Sequence, residues 1–81
     1  MHNVDTLSVL QPGASAFVTE ICSNDSLRSR LQAIGLINGA EVQCVRKSPL
    51  GDPVAFLIQG AVIALRCEDF ECVHIQRRER L

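Results

Sequence analysis

From Gly39 onward the chain reads as short β-forming runs punctuated by turn residues. Its apolar segments there span residues 41–47, 54–58, 62–66 and 72–76. Between the first three lie Ser48-Pro49-Leu50-Gly51-Asp52-Pro53 and Gln59-Gly60-Ala61. Proline fixes one backbone angle and glycine frees both, so these clusters are turns. Short Val- and Ile-rich runs bounded by turns are strands. Only segment 72–76 alternates cleanly, placing Val73 and Ile75 inward and Cys72, His74 and Gln76 outward. Several short strands in an 81-residue chain fit a small barrel, an architecture that leaves no sheet edge open to unwanted pairing. A chain of this length is one domain.

The earlier half holds one helix. Ser23, Asn24, Asp25 and Ser26 are all residues favoured at helix N-caps. Leu27, Leu31 and Ile34 follow at helical spacing and share one face. Gly35 suits the left-handed position after a helix, with Leu36 folding back on the last turn. The helix is expected over residues 25–34. Residues 16–22 read as the first long strand, in which Val18 and Ile21 reach the same side only across a bulge. Residues 7–10 read as a short helical turn or strand covering one end of the core. The interior is expected to contain Val42, Cys44, Phe56, Ile63, Leu65, Val73 and Ile75. The domain should occupy residues 1–76, with 77–81 as a solvated tail.

Composition excludes several functions. Eight Lys+Arg against nine Asp+Glu give a net charge of -1, whereas nucleic-acid binders carry a basic surface. Trp and Tyr are absent, which removes the usual platforms for stacking bases and gripping proline-rich peptides. The five glycines form no phosphate-cradling loop with its lysine, so GTP binding is not expected. No nucleophile–base pair can be argued from His2 and His74, and the chain does not read as an enzyme. No segment approaches the apolar length of a membrane-spanning helix, and residues 1–6 lack the features of a secretion signal, so a cytoplasmic location is expected. The four cysteines then read first as reduced structural thiols, with metal ligation and disulfides as the alternatives. Cys67, Cys72 and His74 are the one set that could serve a metal. No C-x-x-C pair supports it, so neither a metal nor a cofactor is expected.

One ordered series of motifs runs through the chain. It comprises Arg30-Leu31-Gln32-Ala33-Ile34-Gly35-Leu36-Ile37-Asn38-Gly39, then Pro49-Leu50-Gly51-Asp52-Pro53, then Gly60-Ala61-Val62-Ile63-Ala64-Leu65-Arg66. Leu7, Leu10, Gly13 and Ala16 precede it. The series resembles the FeoA family of small ferrous-iron-transport proteins from about residue 7 to 75. Asn38-Gly39 replaces the family's usual Pro-Gly, and the cysteines exceed the family pattern. The resemblance implies an SH3-like barrel with one main helix inserted after the first long strand. It also implies a cytosolic accessory protein that binds the GTPase part of FeoB, the membrane ferrous-iron transporter, and that could self-associate. A rival reading is a metal-sensing or regulatory domain similar to the C-terminal barrel of iron-dependent repressors.

With the interior filled, recognition must use what projects from it. Arg30, on the exposed flank of the helix, and the loop Pro49, Leu50, Gly51, Asp52 and Pro53 are the expected partner-binding residues. Loops on a rigid scaffold commonly carry recognition, and Leu50 has no evident core neighbour. The blander alternatives are a weak surface ion pair for Arg30 and a plain hairpin connection for the loop.

Overall fold

The structure, a computed structural model, describes residues 5–21 and 24–77. Six strands form one antiparallel sheet: β1 (Asp5–Thr6), β2 (Ser15–Ile21), β3 (Glu41–Lys47), β4 (Val54–Ile58), β5 (Ala61–Leu65) and β6 (Val73–Arg77). Their order across the sheet is β1-β6-β2-β3-β4-β5. The helix α1 (Asp25–Ala33) follows β2, and a four-residue helix α2 (Cys67–Phe70) follows β5. A 3-10 turn spans Leu7–Val9. The mainly-β, one-helix architecture expected from the sequence is the one found.

The inner face of the sheet makes the core. Val42 and Cys44 of β3, Val54, Phe56 and Ile58 of β4, and Val73 and Ile75 of β6 are buried. Ala16, Val18 and Ile21 join them from β2. The bulge that Val18 and Ile21 require is present: Val18 pairs with Ile75 and Glu20 with His74, leaving Thr19 as the extra residue. A second irregularity lies between Cys44 and Arg46, where Val45 is turned outward and exposed.

Helix α1 is held at both ends by local chemistry. Asn24 accepts a hydrogen bond from the Leu27 N–H at 2.8 Å, and Asp25 sits in the first turn, where a negative charge suits the helix dipole. At the other end the Leu36 N–H donates to the Leu31 carbonyl and the Gly35 N–H to the Gln32 carbonyl. This is a Schellman ending, with Gly35 at φ +100°. Arg28 Nη2 donates to the Ile21 carbonyl at 3.0 Å, tying the helix to the end of β2. Leu31 is buried, while Leu27 and Ile34 pack on the core from its margin.

Three details differ from the sequence reading. Among the described residues the sheet does not close: β1 pairs only with β6 and β5 only with β4. Leu7, Leu10, Leu31 and Phe70 fill the core from outside the sheet. Ile63 is therefore partly rather than fully buried, because it lies on the edge strand β5. The last strand begins at Val73, so Cys72 is in the preceding turn, and it continues through Arg77. Arg77 pairs with Ala16 and forms an ion pair with Asp5 at 3.3 Å; the rest of the expected tail lies outside the described residues. Cys22 does too.

Two outcomes follow from this packing. A Cβ at Gly35 would overlap Cγ of Gln59 at the turn between β4 and β5, and the backbone is left-handed there. Gly35→Ala is expected to cost about 1–3 kcal/mol in urea denaturation. Burial pushes the Cys44 thiol above its ordinary value of 9.0, with Lys47 partly opposing. The unfolded chain then loses this proton first as pH rises. The contribution is intact below 9.0 and is lost as pH climbs toward the folded value. Between pH 8 and pH 10, roughly bracketing that range, Cys44→Ala should lose less stability than wild type.

Candidate docking surface

The strand ends of β3 and β4 place the 48–53 loop. Ser48 opens a tight turn in which the Gly51 N–H donates to the Ser48 carbonyl at 2.8 Å. Pro49 occupies the position where its fixed φ favours such a turn, and Gly51 leaves it at φ +86°. The base is closed twice: the Ser48 N–H and its hydroxyl both donate to the Pro53 carbonyl, at 3.2 and 2.7 Å. The Asp52–Pro53 peptide is cis. At the tip Leu50 is 94% exposed, the most exposed large apolar side chain among the described residues.

Helix α2 lies beside this loop. Four residues cannot hold a helix alone; α2 is anchored by Phe70, which is buried and meets Phe56 edge to face with centroids 5.0 Å apart. Its N-cap residue, Arg66, supplies no side-chain capping bond. The acceptor comes instead from the loop: Asp52 Oδ1 accepts from the Cys67 N–H at 2.9 Å. The Cys67 thiol donates to the Gly51 carbonyl at 3.5 Å. A small crevice beneath is lined by Leu7, Lys47, Gly51, Val54, Cys67 and Phe70. Burial pushes the Cys67 thiol up, and the Asp52 charge and hydrogen bond push it further the same way. The thiol is thus kept protonated and able to donate.

Arg30, on α1, reaches α2 at Asp69. Its side chain is 70% exposed and approaches Asp69 at 3.9 Å, a long surface contact of small energetic weight. Arg30 and the loop therefore both touch α2, which connects the two halves of the expected surface. Within the loop the residues divide. Pro49 and Leu50 face solvent, Gly51 and Pro53 are half-buried, and Asp52 directs one carboxylate oxygen to its own fold.

Cys67 is the residue that the sequence reading did not connect to the loop. It stands 15 positions from Asp52, and nothing local to either residue signals the contact. Cys67 lies in α2, Cys72 in the turn after it and His74 on β6, beside Thr6 and Glu20. Among the described residues, no three of His, Cys, Asp and Glu come together as a metal site. Cys44, Cys67 and Cys72 are free thiols. No helix among the described residues is long and apolar enough to cross a membrane.

Comparisons with known proteins agree with this geometry. A Fe(2+) transport protein A/Fe(2+) transporter FeoB fusion protein from Porphyromonas gingivalis is 29% identical over 70 residues. The match covers 86% of this chain and 8% of that much longer one. The crystal structure of Stenotrophomonas maltophilia FeoA complexed with zinc, described as an SH3 domain protein, superposes with a TM-score of 0.71. It is 32% identical, with 88% of each chain covered. A manganese-dependent transcriptional repressor shares the fold alone, at 13% identity and a TM-score of 0.85 over 96% of this chain and 43% of that one. The FeoA domain model matches residues 6–77, and with the SH3-like sheet, the capped helix and the ordered motifs all in place, the chain belongs to the FeoA domain family.

Proposed function

We propose that this protein is a non-enzymatic, cytoplasmic accessory of ferrous-iron uptake that docks on the cytosolic GTPase part of a FeoB-type transporter. The observation that carries this reading is the Porphyromonas gingivalis relative, in which a chain like this one is joined to FeoB. Natural fusion places two modules at high effective concentration, an arrangement suited to domains that work in contact. The docking surface is Leu50 at the loop tip together with Arg30 on the flank of α1. An exposed apolar side chain on a braced loop loses little freedom on binding, and Arg adds directional polar contacts at the rim. Docking acts on the transporter only through a difference in affinity between the partner's states, such as its nucleotide-bound and nucleotide-free forms. Self-association is part of the same proposal; the open edge of β5, with Val62 62% exposed, offers a second copy unpaired backbone groups.

The fold shared with the manganese-dependent repressor favours one other reading, a metal-responsive regulatory domain. Gene neighbourhood separates the two: an adjacent GTPase-permease gene supports docking, and an adjacent helix-turn-helix gene supports regulation.

Leu50→Asp and Arg30→Glu are each expected to weaken co-purification with the full-length transporter. Both sites are exposed, so the Tm should change by no more than about 4 °C. Retention of the transporter by both variants at the wild-type level would place the surface elsewhere. Calorimetric titration of the chain with GTP and Mg(II) is expected to show no binding; micromolar affinity would contradict an accessory role that leaves nucleotide chemistry to the partner.

A further inference from the structure

We infer that Asp52 and Cys67 form a clasp that holds the 48–53 loop in its docking conformation, so that Asp52 is a positioning residue rather than a contact. The inference rests on the docking reading above and assigns its control. Among the described residues, the hydrogen bonds within the loop close on the loop itself: Gly51 N–H to Ser48, and the two Ser48 bonds to Pro53. The bonds that tie it to another element both end on Cys67, from its backbone N–H to Asp52 and from its thiol to the Gly51 carbonyl. They fall on Gly51 and Asp52, the two residues that follow Leu50. The anchor is firm, because Cys67 begins the helix whose Phe70 is packed on Phe56. The clasp also meets a need of α2. Arg66 provides no side-chain cap, and the first N–H of a helix has no intrahelical acceptor; here that N–H is Cys67's. Loop and helix therefore stabilise each other across 15 positions of sequence.

A partner that requires one loop conformation binds more weakly by the fraction of molecules that hold it. Losing a charge-assisted hydrogen bond lowers the equilibrium constant for holding that conformation by about tenfold, which bounds the loss of affinity.

The test compares binding to the full-length FeoB-type transporter in nanodiscs with amide hydrogen exchange of the protein alone. Asp52→Ala should bind more weakly, by up to about tenfold, and the Cys67 N–H should exchange faster. Asp52→Asn keeps an acceptor oxygen and should restore binding to within about threefold of wild type. Cys67→Pro removes both donors, the N–H and the thiol, from the other side. Proline is tolerated at a first helical position, and Arg66 already has the extended backbone, ψ 151°, that a following proline requires. It should bind at least as weakly as Asp52→Ala, which keeps the test decisive if that variant folds poorly. In Leu50→Asp/Asp52→Ala the second change should add nothing, because both act through the same tip; a merely structural role would give additive losses. If Leu50→Asp weakens binding while Asp52→Ala and Cys67→Pro bind like wild type, the clasp is overturned and the docking reading stands. If Leu50→Asp itself binds like wild type, the docking reading falls and the clasp's role falls with it.

Discussion

The edge-to-face contact between Phe56 and Phe70 decides what the rest of the surface can do. Phe56 is on β4 at the centre of the core, and Phe70 is the last residue of α2. Burying a side chain of this size contributes about 1.5–3 kcal/mol, with about 0.5–1.5 kcal/mol more for the ring geometry. That stabilisation offsets the poor nucleation of a four-residue helix. Once α2 is fixed, its first residue meets the loop and Asp69 meets Arg30. An aromatic contact inside the core thus organises polar contacts outside it.

The parts of the fold that were legible in the sequence are those set by neighbouring residues. Asn24 caps α1, Gly35 and Leu36 end it, and the bulge in β2 follows from the need to bury both Val18 and Ile21. Each depends on side-chain chemistry within a few positions. The open sheet was not legible, because closure depends on whether the two end strands, β1 and β5, meet, and no residue local to either strand records that long-range pairing. Ile63 was misplaced for the same reason: its apolar character says that it packs, not that its strand is an edge. The end of β6 was hidden by charge. Arg77 begins an Arg-rich run that reads as solvated, yet its backbone pairs with Ala16 while its side chain reaches Asp5.

The candidate site was legible in outline for a related reason. Leu50 is prominent because proline and glycine brace the residues around it, and the turn chemistry alone projects it outward. Asp52 carries no such local signature. In the sequence it is one more exposed carboxylate in a polar loop, and only the fold brings an uncapped helix start within hydrogen-bonding distance. Long-range polar pairs of this kind are invisible to periodicity, which records burial and not partners.

The two bonds to Cys67 act together because they share one anchor. The Cys67 N–H holds the Asp52 side chain, and the thiol of the same residue reaches the Gly51 carbonyl. Burial, and then the Asp52 carboxylate, push the thiol up from its ordinary value of 9.0, so at neutral pH it is a protonated donor with or without that carboxylate. What Asp52 supplies is position: its bond to the N–H holds Gly51 where the thiol meets its carbonyl. Two bonds from adjoining loop positions to one residue support each other, which gives a surface element of six residues a sharper conformational preference than either bond supplies alone.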